Sequence, residues 1–356
     1  MKRDYWVDYV KVFACILVVL GHFWQSMTKS WLLPTDSVYS CAQNVLYYFH
    51  VPLFFICSGY LYQKTAARKI RSILGGASGG PGGALADHGK YVLNKLIALG
   101  IPYAVFTLIT WVMKAVFAGD INGENRGLID TLLVHPTAPY WYLYALFFLF
   151  LVTPLIRRDS GALALLLIAF ALKVLAVLQI GTTVPVLQYI LQNEIWFVMG
   201  MLLCYMGVAD VGREAESRGN KPGNWRTILC GVLLGVLFLT VSILLFVQSI
   251  PDTYLAPLLT FLACLATILI FWGVRAPNKG LDFLAKYTLP IFVMHTIFAA
   301  GIRVVLFKLG VESVAVHIPV GLVFTFGGPI LAAFLMSKVK VLDALLYPGK
   351  YIGVRV

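Results

Sequence analysis

Charged residues are scarce in this sequence. They make up 12% of its 356 residues, and only 16 of them are acidic. Soluble domains carry about 25% charged residues. Apolar residues reach 60%, and the mean hydropathy is +0.84. This composition excludes a soluble core with a single anchor and predicts an integral membrane protein.

Several kinds of site are also missing. The six cysteines form no CxxC pair, so we expect neither a disulfide framework nor a zinc site. No metal-ligand cluster, G-x-S-x-G elbow or GxxxxGK[ST] loop is present, and we expect no bound metal. The net charge of +12 does not indicate nucleic-acid binding, because the basic residues fall in short loops where membrane topology and lipid explain them.

The long apolar runs are continuous, unlike the short alternating segments of a membrane β-barrel. They predict an all-α polytopic bundle of about ten transmembrane helices, at 7–27, 42–62, 93–117, 139–156, 161–180, 187–207, 227–249, 255–274, 283–302 and 316–336. Ten spans place both termini on one side, together with 22 of the 28 lysines and arginines. The positive-inside rule therefore predicts cytoplasmic termini. The opposite side keeps Lys29, Lys114, Arg126, Arg303 and Lys308.

We expect a single domain, 1–356, with a glycine-rich cytoplasmic loop at about 63–92. The stretch "GGASGGPGG" at 75–83 favours a flexible linker over a phosphate-binding loop, because no strand precedes it. Residues 1–27 do not resemble a cleavable signal, since the apolar run is too long.

The first span contains ionisable residues that a simple membrane anchor would avoid. In "DYVKVFACILVVLGHF", Asp8, Lys11 and His22 fall on one face of a helix, and Lys11 and His22 are separated by a rise of about 16 Å. This stripe predicts a polar passage with His22 near the midplane and Lys11 at the cytoplasmic mouth. The structural alternative is a histidine bonded to a neighbouring helix, beside an Asp8–Lys11 ion pair.

The second span and the segment after it add two features. "YYFHVPLFFICSGYLYQ" at 47–63 places His50 before a proline. "ARKIR" then places Arg68 and Arg71 on one helical face, as a phosphate grip requires. A positive-inside signal explains the same pair equally well.

Together these stretches resemble the bacterial membrane acyltransferase 3 family, in its fucose 4-O-acetylase-like branch. The similarity consists of the Asp8, Lys11 and His22 pattern, "FFICSGYL", the RxxR of Arg68 and Arg71, and three later stretches, "KLIALGIPY", "PYWYLYALF" and "LAKYTLPIFVMHTIF". Lys11 departs from the arginine common in the family, and it lacks the bidentate fork of arginine.

The resemblance implies a membrane O-acyltransferase of the bacterial cytoplasmic membrane. Acyl-CoA, usually acetyl-CoA, would be a cytoplasmic co-substrate rather than a bound cofactor. The acceptor would be a hydroxyl of an extracytoplasmic glycan or related envelope molecule. Histidine has an unperturbed pKa of about 6.5, which suits a general base, and we assign that role to His22. Asp8 and Lys11 would assist it, and Lys11, Arg68 and Arg71 would hold the CoA phosphates.

Five other residues are candidates for contact with substrate. His50, Glu194 and His295 are ionisable groups inside spans, where function is the default expectation. Glu194 would bond an acceptor hydroxyl or pair with His22. Trp141 and Tyr142 begin a span, where they would either stack on a sugar or belong to the interfacial aromatic belt.

Two other functions stay open on the sequence alone. A proton-coupled transporter or exporter of a glycan or lipid-linked sugar would also bury histidines and a glutamate. A non-catalytic subunit of an envelope polysaccharide machine is the second alternative. Within the enzyme interpretation, the acceptor, the length of the acyl chain and the choice between direct transfer and an acyl-histidine intermediate are not encoded by any motif.

Overall fold

A computed structural model describes residues 4–35, 38–75, 81–117, 126–180, 184–207, 225–274 and 277–352, with side chains omitted at 66–91. The described residues form helices and connecting turns, which confirms the all-α bundle. Nine of the described helical segments are long and apolar enough to cross a membrane. The remaining predicted span, at 139–156, is present as a shorter helix, Trp141–Val152.

The helices are numbered here in chain order. They are α1 (Tyr5–Lys29), α2 (Val38–Tyr47), α3 (His50–Gly75), α4 (Pro81–Val116), α5 (Leu128–Leu133), α6 (Trp141–Val152), α7 (Asp159–Val177), α8 (Pro185–Tyr205), α9 (Trp225–Val247), α10 (Ala256–Val274), α11 (Lys279–Lys308), α12 (Val314–Met336) and α13 (Lys340–Leu346). A short 3₁₀ turn, Pro348–Lys350, follows α13.

The second span is broken between α2 and α3. Pro52 has no N–H to donate to the carbonyl of Tyr48, so a continuous helix is disfavoured here. The Tyr48 carbonyl instead accepts a hydrogen bond from Thr260 Oγ1 at 2.9 Å. The break is thus satisfied within the protein, as membrane depth requires.

The fourth span is shorter than predicted. Helix α6 has 12 residues, about 18 Å, because Pro154 disfavours a helical conformation at Thr153. The extended chain that follows is held by Gln63, whose side chain donates to the Ile156 carbonyl at 2.7 Å and accepts from the Ile156 N–H at 3.1 Å. A side-chain amide therefore replaces the helical hydrogen bonds that are lost.

The predicted glycine-rich loop at 63–92 is largely helical. Helix α3 continues to Gly75 and α4 begins at Pro81, so the described residues of 63–92 are helical rather than a loop. The flexible linker expected at 75–83 falls mostly outside the described residues and stays a prediction. Alanine, lysine, arginine and leucine in this stretch are good helix formers, which favours continuation beyond the apolar run. Residues 76–80 lie outside the described part of the chain.

Helix α1 lies inside the bundle and contacts α3, α10, α11 and α12. The two ends of the described chain lie at one end of the bundle: the Tyr9 hydroxyl accepts from the Asn278 N–H at 2.7 Å, and the Tyr347 hydroxyl donates to the Lys286 carbonyl at 3.2 Å. We call this the terminal end. The opposite end, which holds Lys29 and Lys114, is the far end.

Candidate active site

A cavity of about 280 Å³ enters the bundle from the far end. Its walls come from α1, α4, α11 and the chain before α6, so four distant parts of the sequence build it. The cavity is lined by His22, Gln25, Ser26, Lys29, Thr110, Met113, Lys114, Thr137, Ala138, His295, Thr296, Ile297, Ala299, Ala300 and Arg303. We call it the histidine cavity.

His295 lies at the histidine cavity with its ring orientation fixed. Its Nδ1 is 2.8 Å from the Phe292 carbonyl and 3.0 Å from the Ile291 carbonyl, so Nδ1 carries the proton and donates. In the neutral ring Nε2 is then an acceptor. This Nε2 is buried and has no hydrogen-bond partner among the described residues. A buried acceptor of this kind is suited to receive a proton or a hydroxyl hydrogen bond from a ligand.

His22 is half-buried beside His295. The two ring centroids are 5.4 Å apart, with the planes tilted by 36°. Gln25 and Lys29, on the following turns of α1, line the same cavity. Two histidines from α1 and α11 therefore meet at the cavity, which places His295 in the candidate site as the sequence suggested.

His50 completes a group of three histidines. Its Nδ1 donates to the Leu46 carbonyl at 2.6 Å, and Tyr47 packs between it and His22, with centroid distances of 4.9 Å and 6.4 Å. His50 is buried and does not line the histidine cavity. Within the described residues, no group of three or more histidine, cysteine, aspartate or glutamate side chains has the geometry to hold a metal ion.

Asp8 and Lys11 do not join the histidine cavity. Both lie near Cys57 at the terminal end, close enough to act electrostatically on its thiol. Between Lys11 and His22, the side chains of Cys15 and Val18 are buried. The predicted continuous passage along α1 is therefore wrong for the described residues, because the apolar positions between the polar groups pack into the core.

Arg68 and Arg71 lie in the helical continuation of α3 beyond the membrane span. Their side chains fall outside the described part of the chain. Their assignment to the CoA phosphates stays a prediction.

Glu194 lies away from His22. Its carboxylate accepts from Thr153 Oγ1 at 2.9 Å and 3.1 Å, where α6 ends. It does not line the histidine cavity, and its described partner is Thr153 rather than His22. A contact of Glu194 with the acceptor stays a prediction. Burial explains the contact, since a buried carboxylate needs a donor.

Tyr142 and Trp141 belong to the packing of the bundle. The Tyr142 hydroxyl donates to the Phe54 carbonyl at 3.3 Å and bonds Ser58 Oγ at 3.0 Å, and its ring is buried. Trp141 stacks on Tyr189 at 5.3 Å with the planes 17° apart. Neither residue lines the histidine cavity, and stacking of either ring on a sugar stays a prediction. Helix α6 is apolar on every face, and the sequence does not distinguish its inner side.

Sequence reasoning missed the cations and threonines of the cavity wall. Lys29, Lys114 and Arg303 were counted only for topology, and Thr110 and Thr137 were not considered. The scarcity of basic residues on the far side was the available signal, since each one there runs against the positive-inside tendency.

The Glu194→Gln variant tests whether Glu194 takes part in the reaction. Glutamine still accepts from Thr153, so we expect turnover close to that of the wild type. A direct proton-transfer role predicts instead a loss of about 10²–10⁴-fold. Glu194→Leu is the contrasting variant: it removes the partner of Thr153 and should reduce the free energy of unfolding by about 1–3 kcal/mol. Acyl-transfer rate and thermal unfolding of purified protein distinguish the two effects.

Comparison with known proteins gives one family. The model described as an acyltransferase domain matches residues 4–334. Nodulation protein NolL of Sinorhizobium fredii is 29% identical over 194 residues, which is 53% of this chain and 46% of that protein. Nodulation protein NolL of Mesorhizobium japonicum is 24% identical over 156 residues, which is 42% of this chain and 35% of that protein. The alignments thus span less than half of these relatives. No solved structure matches.

Proposed function

The chain belongs to the acyltransferase family whose model matches residues 4–334, and from that premise we propose that it moves an acyl group, usually acetyl, from cytoplasmic acyl-CoA to a hydroxyl of an extracytoplasmic glycan or envelope molecule. Its multi-pass helical bundle places it in a membrane. For the bilayer we propose the bacterial cytoplasmic membrane.

One observation carries the chemical part of the proposal. The histidine cavity brings His22 and His295 together, and the free Nε2 acceptor of His295 is buried there. A hydroxyl is a poor nucleophile at neutral pH and needs a base within hydrogen-bonding reach. An acceptor hydroxyl bound in this cavity would meet such a base.

The proposed reaction transfers the acyl group directly from sulfur to oxygen. His22 accepts the proton of the acceptor hydroxyl while that oxygen attacks the thioester carbonyl. A carbon–oxygen bond forms, the carbon–sulfur bond breaks, and the proton passes to the leaving CoA thiolate. His295 supports His22, because its Nε2 can accept a hydrogen bond from the bound acceptor. Holding both substrates in one site makes the reaction effectively unimolecular.

The thioester needs a route to His22 from the terminal end. An apolar crevice of about 250 Å³ between α1, α11 and α12 is lined by Val12, Cys15, Ile16, Leu284, Thr288, Ile291 and Phe326. Cys15 precedes His22 by two helical turns, and the Ile291 carbonyl accepts from His295. We propose this crevice for the acyl arm of the donor, because Ile291 in its wall also bonds His295.

The CoA assignment predicts a change in KM. Replacing Arg68 and Arg71 together by glutamine should raise the KM for acyl-CoA about tenfold or more, because each charge-assisted phosphate contact contributes about 1.5–3 kcal/mol. The turnover number should change less. Steady-state kinetics with varied acetyl-CoA measure both, and Lys338→Gln/Lys340→Gln is a control that loses the same two positive charges outside this motif. An unchanged KM would remove the phosphate role.

Release of free CoA tests the function itself. Purified protein with acetyl-CoA should release the thiol only when an acceptor is added, whereas a carrier consumes no thioester. Mass spectrometry of envelope glycans from cells with and without the gene should show species that differ by one acyl group. Identical glycan masses, together with no CoA release, would contradict the proposal.

A further inference from the structure

Basic residues of the far end converge on one place. Lys29 and Lys114 line the histidine cavity and also a second, wider hollow of about 460 Å³ that opens from it. Arg303 belongs to the first and Arg126 to the second. Four of the five basic residues predicted at this end therefore surround one continuous entrance, which we call the cationic vestibule. The positive-inside rule concerns the side of the membrane on which basic residues lie, and it does not explain why four of them surround one entrance.

Lys29 and Lys114 lie together in the cationic vestibule, and its described lining supplies no carboxylate to neutralise these two lysines. Lys29 on α1 is close enough to Lys114 on α4 to repel it electrostatically. No aspartate or glutamate is among the described residues that line either hollow. Asp130 lies at the rim, where its carboxylate bonds His135 Nδ1 at 2.8 Å. An anion between the two lysines would relieve their repulsion.

Arg303 gives the inner part of the cationic vestibule a fixed cation. Arg303 is only 4% exposed, and its Nη1 donates to the carbonyl and the hydroxyl of Ser26. Ser26 lies one turn after His22 on α1, and Arg303 lies two turns after His295 on α11. A guanidinium is thus anchored directly above the two histidines, toward the far end.

We propose that the acceptor carries an anionic group, a carboxylate or a phosphate attached to the sugar, which Lys29, Lys114 and Arg303 hold while a neighbouring hydroxyl reaches the histidines. This inference rests on the proposed function, which brings the acceptor from the far end. Small-molecule sites run from about 300 Å³ upward. The wider hollow, about 460 Å³, falls in this range, and the histidine cavity, about 280 Å³, extends it inward to the histidines. The three cations would therefore select an anionic acceptor, and the histidines would act on its hydroxyl.

A binding experiment tests the proposal without requiring transfer. Purified full-length protein in neutral detergent is titrated at constant ionic strength with methyl glucuronide or with methyl glucoside, which differ by one carboxylate. The wild type should show a saturable rise in Tm with the glucuronide and little response to the glucoside. In Lys29→Gln/Lys114→Gln the apparent Kd for the glucuronide should rise at least about tenfold, the effect of one lost ionic contact.

Lys308→Gln is the matched control, since it removes a far-end lysine that lines neither hollow, and it should bind the glucuronide as the wild type does. An equal response to both sugars, or unchanged binding by the double variant, would overturn the proposal. A CoA titration distinguishes the anion's source: if the double variant loses CoA binding instead, the vestibule holds donor phosphates. Failure of the proposed function would appear separately, as absent CoA release with glucuronide binding intact.

Discussion

The His22→Ala variant should lose about 10²–10⁴-fold in acyl-transfer rate, the usual contribution of a general base. His22 is the histidine of α1 at the histidine cavity, and the centroid of its ring lies 5.4 Å from that of His295. Alanine keeps the helix and only enlarges an existing cavity, so the protein should remain folded. The expected result is an inactive protein whose Tm lies near that of the wild type.

His317→Gln is the matched control for this loss. His317 is also a buried histidine of a membrane helix, but its Nε2 bonds the Val311 carbonyl at 2.7 Å and it lies outside the histidine cavity. Its glutamine variant should transfer acyl groups at nearly the wild-type rate. The measurement is release of free CoA with saturating acceptor. If His22→Ala kept most of its turnover, the base would have to be another group, and His295 would be the next to replace.

The apolar runs predicted the helices well, because a segment that crosses a bilayer must satisfy its own backbone hydrogen bonds. Two differences from the predicted spans fall where side chains replace those bonds. Pro52 splits the second span and Thr260 bonds the freed Tyr48 carbonyl, a contact between residues far apart in sequence. The shortening of α6 depends in the same way on Gln63, which no local pattern identifies.

The sequence identified candidate site residues where a side chain is chemically unusual inside a membrane. An intramembrane histidine is unusual enough to single out His22 and His295, and the structure brings them together. Glu194 was equally unusual by sequence, yet it bonds Thr153 elsewhere in the bundle. The direction in which a side chain points depends on helix packing, so sequence identified the ionisable groups but not which of them share a cavity.

The crossing of α3 and α8 should fail when either of its two glycines gains a methyl group. A Cβ at Gly59 would lie 1.9 Å from the Phe197 carbonyl oxygen, and one at Gly200 would lie 1.9 Å from the Ile56 carbonyl oxygen. Each glycine thus lets the partner backbone approach, as small residues do at helix crossings in membranes. Backbone atoms cannot turn aside as a side chain can, so the helices must separate.

Gly59→Ala and Gly200→Ala should each destabilise the protein by about 3 kcal/mol or more, at the upper end of overpacking effects. We expect a lower Tm and loss of the monodisperse peak in size-exclusion chromatography. Gly327→Ala is the control, because a Cβ at this helical glycine of α12 meets no atom within 4 Å, and alanine is the better helix former. If Gly200→Ala unfolded at the same temperature as Gly327→Ala, the close backbone contact would be wrong.

Helix α3 begins at His50 and crosses α8 at Gly59, so a disturbed crossing should also shift the three histidines and reduce the rate of acyl transfer.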